Sequence, residues 1–561
     1  MYTSNAAGEC YLRASANDPR GDSPDHGSVS CPMAIKNDDA PYSDAPPANP
    51  SRLPLPSVSF SEDVVVPEWL PKSTDSLSSL SPLKLSLKMD DVRSTPTVQL
   101  QFGSPVILHG AANVSFGSEG RQIILDGNQS SPDSFFALDD SHIFGQYENS
   151  YNGPTPVIFS NDSGRSWQFS TQLSGSAING VYREQSLMGK GSRPAKLLRT
   201  FGLLLNHSRP GTSFSSSGFA EFSVSRTTGK LNVTVVKGQG GNAITFGPLP
   251  RPTSKNCGFK AGFYEPVAST VLPDDSLLCA TIVCFADSPL VARSRFGNIS
   301  GTGWNRTASS LVAWRSVNGG LHWTYRGLIS DAAAYMQHNI SSMGNTEEND
   351  LAVMADGKTV MAVMRTDGDC DCKASFGAYL GGPCGIYRPY YQAYSSDQGS
   401  TWSLGRPIPG TGCARPRLLS LGVGKPMLMS GGRMCSSNMT GLFVWLNRLG
   451  LPYAPWEIFS LSYQHNEHWK GDPTFLFDER VNASNEFQTQ AYTSLVQVGD
   501  DEAFVTYNKY LDPIFNGWPG CWTWEPVGKP RPRPYCSVGF GMRITIKTDD
   551  SIENHLTLKV G

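Results

Sequence analysis

From Val98 onward, apolar residues come in short runs, and Gly, Asp and Pro collect at the breaks between them. Runs of this length, bounded by turn residues, read as strands joined by hairpins. The first spans Phe135 to Phe144 about Asp139-Asp140, and a weaker one lies near Ala195 to Leu205. Val267 to Cys284 follows about Pro273-Asp274-Asp275, and then Leu351 to Met364 about Asp356-Gly357. Leu418 to Met429 turns at Gly422-Val423-Gly424, and Tyr492 to Tyr507 at Gly499-Asp500-Asp501. Hairpins at a spacing of roughly 60 to 80 residues predict six four-stranded sheets. Nowhere does a helical period persist long enough to compete.

A short phrase recurs between these hairpins. Ser160-Asn161-Asp162-Ser163-Gly164-Arg165-Ser166-Trp167 returns as Ser395-Ser396-Asp397-Gln398-Gly399-Ser400-Thr401-Trp402. With Asn in the acidic place it is also Ser316-Val317-Asn318-Gly319-Gly320-Leu321-His322-Trp323. In Ser-x-Asp-x-Gly-x-x-Trp the Asp or Asn folds a turn by bonding nearby N–H groups, and Gly tolerates positive φ. The Trp then returns a ring of ~150–250 Å² to the core. Degenerate copies follow the second hairpin (Ser225-x-Thr227-x-Gly229) and the fifth (Asn447-x-x-Gly450, then Trp456). Repeated sheets closed into a ring leave only short, protected edges. The expectation is an all-β fold, a six-bladed β-propeller over residues 96–561. Residues 1–95, rich in Ser, Pro, Asp and Asn, bury too little apolar surface to offset ordering and read as a disordered tail.

A net charge of 46 − 49 = −3 gives no footprint for a nucleic-acid partner. The longest apolar run, Leu277 to Ala286, is far short of the ~20 residues of a membrane span. None of the twelve cysteines has zinc-ligand or CxxC spacing, and no cofactor or metal is expected. Cysteines crowded after residue 257, with ten Asn-x-Ser/Thr sequons, favour disulfides and a secretory compartment over reduced core thiols. Met1 to Cys10 nevertheless shows no basic-then-apolar leader.

Two further stretches carry chemistry. Thr346-Glu347-Glu348-Asn349-Asp350-Leu351 runs through Asp356-Gly357 to Met364-Arg365, and Gln488-Thr489-Gln490-Ala491-Tyr492-Thr493-Ser494-Leu495 opens the sixth hairpin. Together with the repeated turns, they resemble the sialidase (neuraminidase) superfamily of six-bladed propellers over roughly residues 97–547. That resemblance implies Tyr492 as nucleophile, Glu348 as the base that takes its proton, with Glu347 the close alternative, and Arg365 as a ligand of the substrate carboxylate. Arg433, in Ser430-Gly431-Gly432-Arg433, is a second candidate arginine. A sialic acid carries a carboxylate on its anomeric carbon, which would repel a carboxylate nucleophile, whereas a neutral phenol avoids the clash. A phenol of pKa ~10 needs a neighbouring base to attack. The guanidinium fork suits bidentate carboxylate binding.

The sequence departs from that family in its first sheet. Gln129-Ser130-Ser131-Pro132-Asp133 holds no arginine where one is expected, and Arg121 lies in a different phrase. Gln146 to Asn152 offers Glu148 but no aspartate for the acid/base role. Arg415 and Arg417, ahead of a strand, read as surface charges, and His465-Asn466-Glu467-His468 as a surface loop without metalloprotease spacing. Trp518, Trp522 and Trp524 read as a sugar platform or as core packing. The expected function is a sialidase-like glycoside hydrolase acting on terminal sialic acid or a related acidic sugar of glycoconjugates. The alternative is a non-catalytic propeller that binds a glycan or a protein.

Overall fold

A computed structural model describes residues 2–4, 10–12, 98–108, 114–116, 121–123, 131–137, 141–148, 157–169, 186–188, 198–201, 214–216, 218–224, 231–237, 244–254, 263–292, 305–337, 346–366, 390–408, 411–412, 414–436, 439–471, 473–477, 489, 492–511 and 536–548. Strands dominate these residues, and they assemble in chain order into six larger antiparallel sheets. Sheet 1 holds Ser131–Ala137, Ile143–Glu148, Val157–Ser160 and Gln168–Phe169. Sheet 2 holds Ser186–Met188, Leu198–Phe201, Gly218–Val224 and Leu231–Lys237. Sheet 3 holds Phe263–Val271, Leu277–Val283, Ser310–Ser316 and His322–Ser330, extended by the parallel strand Ile244–Phe246 and, at the edge, by Phe214–Ser216.

Sheet 4 is Thr346–Val353, Val360–Thr366, Tyr391–Ser395 and Arg406–Pro407. Sheet 5 is Arg417–Ser420, Met427–Ser436, Met439–Asn447 and Glu457–Ser460. Sheet 6 joins Ser494–Gly499, Glu502–Leu511 and Cys536–Thr548 to Val98–Phe102 from the other end of the chain. The register of that last pair runs from Val98↔Thr548 to Phe102↔Ile544.

Strand alternation explains how the sheets stack. On Val360–Thr366, Val360, Ala362 and Met364 pack with Leu278, Ala280 and Leu311 of sheet 3. Met361 and Val363 point the other way, against Leu418, Met429 and Trp445 of sheet 5. A period of two therefore buries both faces of one strand. Sheet 5 meets sheet 6 through Leu419, Leu428 and Val444 against Leu495, Val505 and Met542. Sheet 6 meets sheet 1 through Val496, Val498 and Phe504 against Ile143, Ile158 and Trp167. First strands also touch in succession, from sheet 2 through sheets 3, 4, 5 and 6 to sheet 1.

The repeated phrase forms the same turn each time. Ser160, Ser316 and Ser395 Oγ accept the N–H of Gly164, Gly320 and Gly399 at 2.7, 2.9 and 2.8 Å. Oδ1 of Asp162, Asn318 and Asp397 accepts the N–H of Ser166, His322 and Thr401. Each Trp indole donates back to the glycine carbonyl, at 3.1, 2.9 and 3.0 Å. The three glycines sit at φ 85, 85 and 88°, conformations that cost other residues most. In the degenerate fifth copy Asn447 Oδ1 accepts the Gly450 N–H, and Trp456 is buried. The second copy, Ser225 to Gly229, lies outside the described residues.

Several expectations meet the structure differently. The second hairpin's described part, Leu198–Phe201, pairs back to Ser186–Met188 and forward to Gly218–Val224. His465-Asn466-Glu467-His468 is no surface loop: it ends the helix Leu461–His468, whose Ser460 cap accepts the Tyr463 N–H. His465 is fully buried there because Trp469, Phe477, Tyr507 and Phe540 surround its ring. Within residues 1–95 the described part is a hairpin of Tyr2–Ser4 with Cys10–Leu12. The remaining tail and Trp518, Trp522 and Trp524 lie outside the described residues. Cys279 is a buried free thiol, and Cys284 is disulfide-bonded. No helix among the described residues is long and apolar enough to cross a membrane.

Candidate active site

Antiparallel meanders place the start of a sheet's first strand beside the end of its second. The repeated turns, between third and fourth strands, lie at the opposite end. In sheets 4, 5 and 6 the first-strand starts come together, bringing Glu348, Arg417 and Tyr492 to one rim.

A slip in one ladder aims the glutamate. Between the pairs Thr346↔Thr366 and Asn349↔Met364, two residues of the first strand oppose the single residue Arg365. This is a β-bulge, which re-aims side chains at a sheet's end. It gives Glu348 to Arg365: Arg365 Nη1 donates to Glu348 Oε2 at 2.6 Å. The same nitrogen donates to the Tyr492 hydroxyl at 3.2 Å, and that hydroxyl donates to Glu348 Oε1 at 2.5 Å. Three groups drawn from sheets 4 and 6 thus close a triangle.

The triangle's charges are set by its surroundings. Arg365 is only 2% exposed, whereas the Glu348 side chain keeps 21% of its surface. Burial pushes the Glu348 carboxyl up, but the Arg365 guanidinium, the Tyr492 hydroxyl and the Arg415 charge more than offset this. It is held below the usual carboxylate range and is anionic near neutrality. An anionic oxygen bonded to a phenol can accept the phenol's proton, and a neighbouring guanidinium can stabilise an oxyanion.

Sheet 5 supplies groups that the sequence did not single out. Arg415 and Arg417, expected as surface charges, are 4% and 6% exposed. Arg415 precedes and Arg417 opens the first strand of sheet 5, at the end where Glu348 lies near the start of the first strand of sheet 4, and the Arg415 charge acts on Glu348. Arg417 Nε donates to the Thr493 carbonyl at 3.4 Å. Buried Asp350 accepts the Leu418 N–H at 2.7 Å with Oδ2 and the Leu351 N–H at 3.0 Å with Oδ1. Ser430 Oγ and Thr493 Oγ1, both buried, are 2.8 Å apart. The usable signal is positional: in sheets 4, 5 and 6, polar residues at or near the start of the first strand share one rim.

The other candidates are less fully placed. Arg433 lies on the second strand of sheet 5, opposite Gly441. The preceding glycines make room for Tyr390, whose hydroxyl accepts the Gly432 N–H at 3.3 Å. A Cβ on Gly431 would collide with that hydroxyl. Glu148 ends the second strand of sheet 1, opposite Ser131, and Arg121 lies in a separate two-stranded sheet. The described side chains do not include those of Arg433, Glu148, Arg121 or Glu347. No group of three or more His, Cys, Asp or Glu among the described residues could hold a metal ion.

No family model matches the chain, and no curated protein matches it. Among solved structures, a protein of unknown function from Dyadobacter fermentans is 14% identical, with a TM-score of 0.42. The match covers 80% of this chain and 99% of that one. A Hadza microbial sialidase is 12% identical over 68% of this chain and 64% of its own, at a TM-score of 0.37. This chain therefore spans less than two thirds of that protein. The NanB sialidase from Streptococcus pneumoniae is 12% identical over 70% of this chain and 68% of its own, at 0.35.

Proposed function

We propose that the six sheets are the blades of a closed six-bladed β-propeller. On this reading the chain is a sialidase-like glycoside hydrolase acting on terminal sialic acid or a related acidic sugar of a glycoconjugate. Face-to-face packing of sheets 3 to 6 and of sheet 6 on sheet 1 supports the ring. So does the completion of sheet 6 by the strand Val98–Phe102. A secretory, oxidising setting belongs to the same proposal, supported by the disulfide at Cys284.

The single observation that carries the enzymatic reading is the Tyr492–Glu348–Arg365 triangle. In the reaction the phenol oxygen attacks the anomeric carbon as Glu348 receives its proton and the glycosidic C–O bond breaks, the aglycone taking a proton from solvent. Water then attacks the same carbon, and the phenol leaves and recovers its proton from Glu348. Ground-state transfer is uphill. An ordinary phenol and carboxylate differ by roughly 6 pKa units, about 8 kcal/mol. Proton transfer must therefore accompany formation of the C–O bond. Among the described residues, the buried guanidinium groups of Arg365, Arg415 and Arg417 outnumber the carboxyl groups of Glu348 and Asp350, which favours a substrate that brings its own carboxylate.

The test is turnover of a fluorogenic sialoside by the purified chain, with Tyr492→Phe expected to abolish it. Glycan binding without turnover, unchanged by Tyr492→Phe, would sink the hydrolase reading and favour a binding propeller.

A further inference from the structure

Tyr492 stands two residues ahead of Ser494↔Thr506, the first pair of the sheet 6 ladder, so that ladder does not reach it. Sheets 5 and 6 share no backbone ladder among the described residues. Within sheet 6, Thr489 Oγ1 donates to Asn508 Oδ1 at 2.9 Å ahead of the phenol, and Thr493, the residue after Tyr492, is where sheet 5 takes hold. Its hydroxyl pairs with Ser430 on the second strand of sheet 5, and its carbonyl accepts from Arg417 on the first. Arg417 is itself fixed, because the adjoining Leu418 N–H is bound by Asp350 of sheet 4. The bonds form a circuit: sheet 4 to sheet 5 through Asp350, sheet 5 to sheet 6 through Thr493, and sheet 6 back to sheet 4 through Tyr492 and Glu348.

We propose that Thr493 is a positioning residue: bolted to Ser430 and Arg417, it sets the phenol of Tyr492 in line with Glu348. Geometry explains why a hydroxyl serves here. Thr493 and Ser430 are fully buried, so each hydroxyl needs a partner, and each finds it in the other. A misplacement of about 1 Å at a reacting group costs on the order of 100-fold in rate. The inference rests on the proposed role of Tyr492 for its catalytic consequence, but the positioning itself does not require that role.

The test uses the full chain labelled with 13Cζ-tyrosine, and the Tyr492 signal is assigned by its loss in Tyr492→Phe. Thr493→Val keeps the shape and removes the hydroxyl, and the Tyr492 resonance is expected to move toward that of an unbonded phenol. Thr493→Ser restores the hydroxyl and is expected to restore the resonance. Where Thr493→Val proves unstable because Ser430 is stranded, the double variant with Ser430→Ala removes both partners and keeps the fold. On a sialoside, kcat is expected to fall about 10- to 100-fold in Thr493→Val and in the double variant, with KM changed little. A Tyr492 resonance unmoved in both variants overturns the positioning role. Movement of the resonance in a chain that turns over no sialoside upholds positioning and removes the hydrolase reading instead.

Discussion

Glu348→Gln separates the structural and chemical halves of the site. Glu348 is held anionic by Arg365, so the substitution removes a full charge beside a guanidinium that is 2% exposed. Breaking a buried pair from one side costs about 3–5 kcal/mol, mostly the stranded charge. Glu348 retains a fifth of its side-chain surface, so water can reach the pair, and the lower end, about 3 kcal/mol, is expected. Tyr492→Phe leaves Glu348 and Arg365 paired and gives up one hydroxyl, at about 1 kcal/mol. Activity orders differently. Loss of the nucleophile abolishes turnover, whereas loss of the proton acceptor slows it about 100- to 10,000-fold. The assay is urea unfolding at neutral pH beside sialoside turnover on the same preparations. A Glu348→Gln chain as stable as Tyr492→Phe would show that Glu348 is not the chief counter-charge of Arg365. Turnover within a few-fold of the parent would show that it is not the base.

Two more predictions concern the frame. Gly399→Ala places a Cβ 2.7 Å from Leu278 Cδ1 at φ 88° and should destabilise by about 2–3 kcal/mol in urea unfolding. Gly424→Ala, at φ 72° with nothing within 4 Å, should cost only the backbone strain, about 1 kcal/mol, and equal losses would refute the packing argument. The second is acid sensitivity set by His465, whose burial lowers its pKa to about 3 against a carbonyl at Phe475 that raises it. An unfolded histidine takes its proton below about pH 6.5, so this contribution is fully present above that pH and is lost as pH falls toward about 3. Between about pH 7 and pH 5 it amounts to about 2 kcal/mol. His465→Gln should flatten that slope in urea unfolding measured across the same range, and a slope unchanged by the substitution would refute the assignment.

Much of the frame was legible because its signals are local. The turns at Asp274-Asp275, Asp356-Gly357, Gly422–Gly424 and Asp500-Asp501 fall between paired strands, as their turn residues require. The Ser-x-Asp-x-Gly-x-x-Trp phrase is a complete hydrogen-bonded unit within eight residues, so its residue types carry its shape. Tyr492, Glu348 and Arg365 could be named from resemblance, but their meeting depends on a bulge that only the ladder register reveals. Arg415 and Arg417 were misread because charge ordinarily signals exposure, and their burial rests on neighbours in other sheets. The helix Leu461–His468 escaped notice because eight residues give too short a period, and its His465 is held by aromatic rings far along the chain.

These differences in legibility have one cause, the way adjacent sheets are joined. Among the described residues no ladder joins these sheets, so side chains and turns hold them together, and the two ends of the sheets do so differently. At one end the repeated turn is itself the joint. Gly164 lies against Phe504 of sheet 6, Gly399 against Leu278 of sheet 3, and Gly450 against Ala355 of sheet 4, each the preceding sheet when sheet 6 is taken to precede sheet 1. Arginines reinforce two of these joints: Arg543 donates to the Ser163 carbonyl, and Arg326 to the carbonyls of Asp397 and Gln398. Because that end repeats one solution, its sequence repeats. At the other end the joints between sheets 4, 5 and 6 are unlike one another, made by Asp350, Arg417, Thr493 and the Tyr492–Glu348–Arg365 triangle itself. A group that joins sheets there also defines the site. Loosening such a joint should therefore cost alignment of the phenol before it costs the fold.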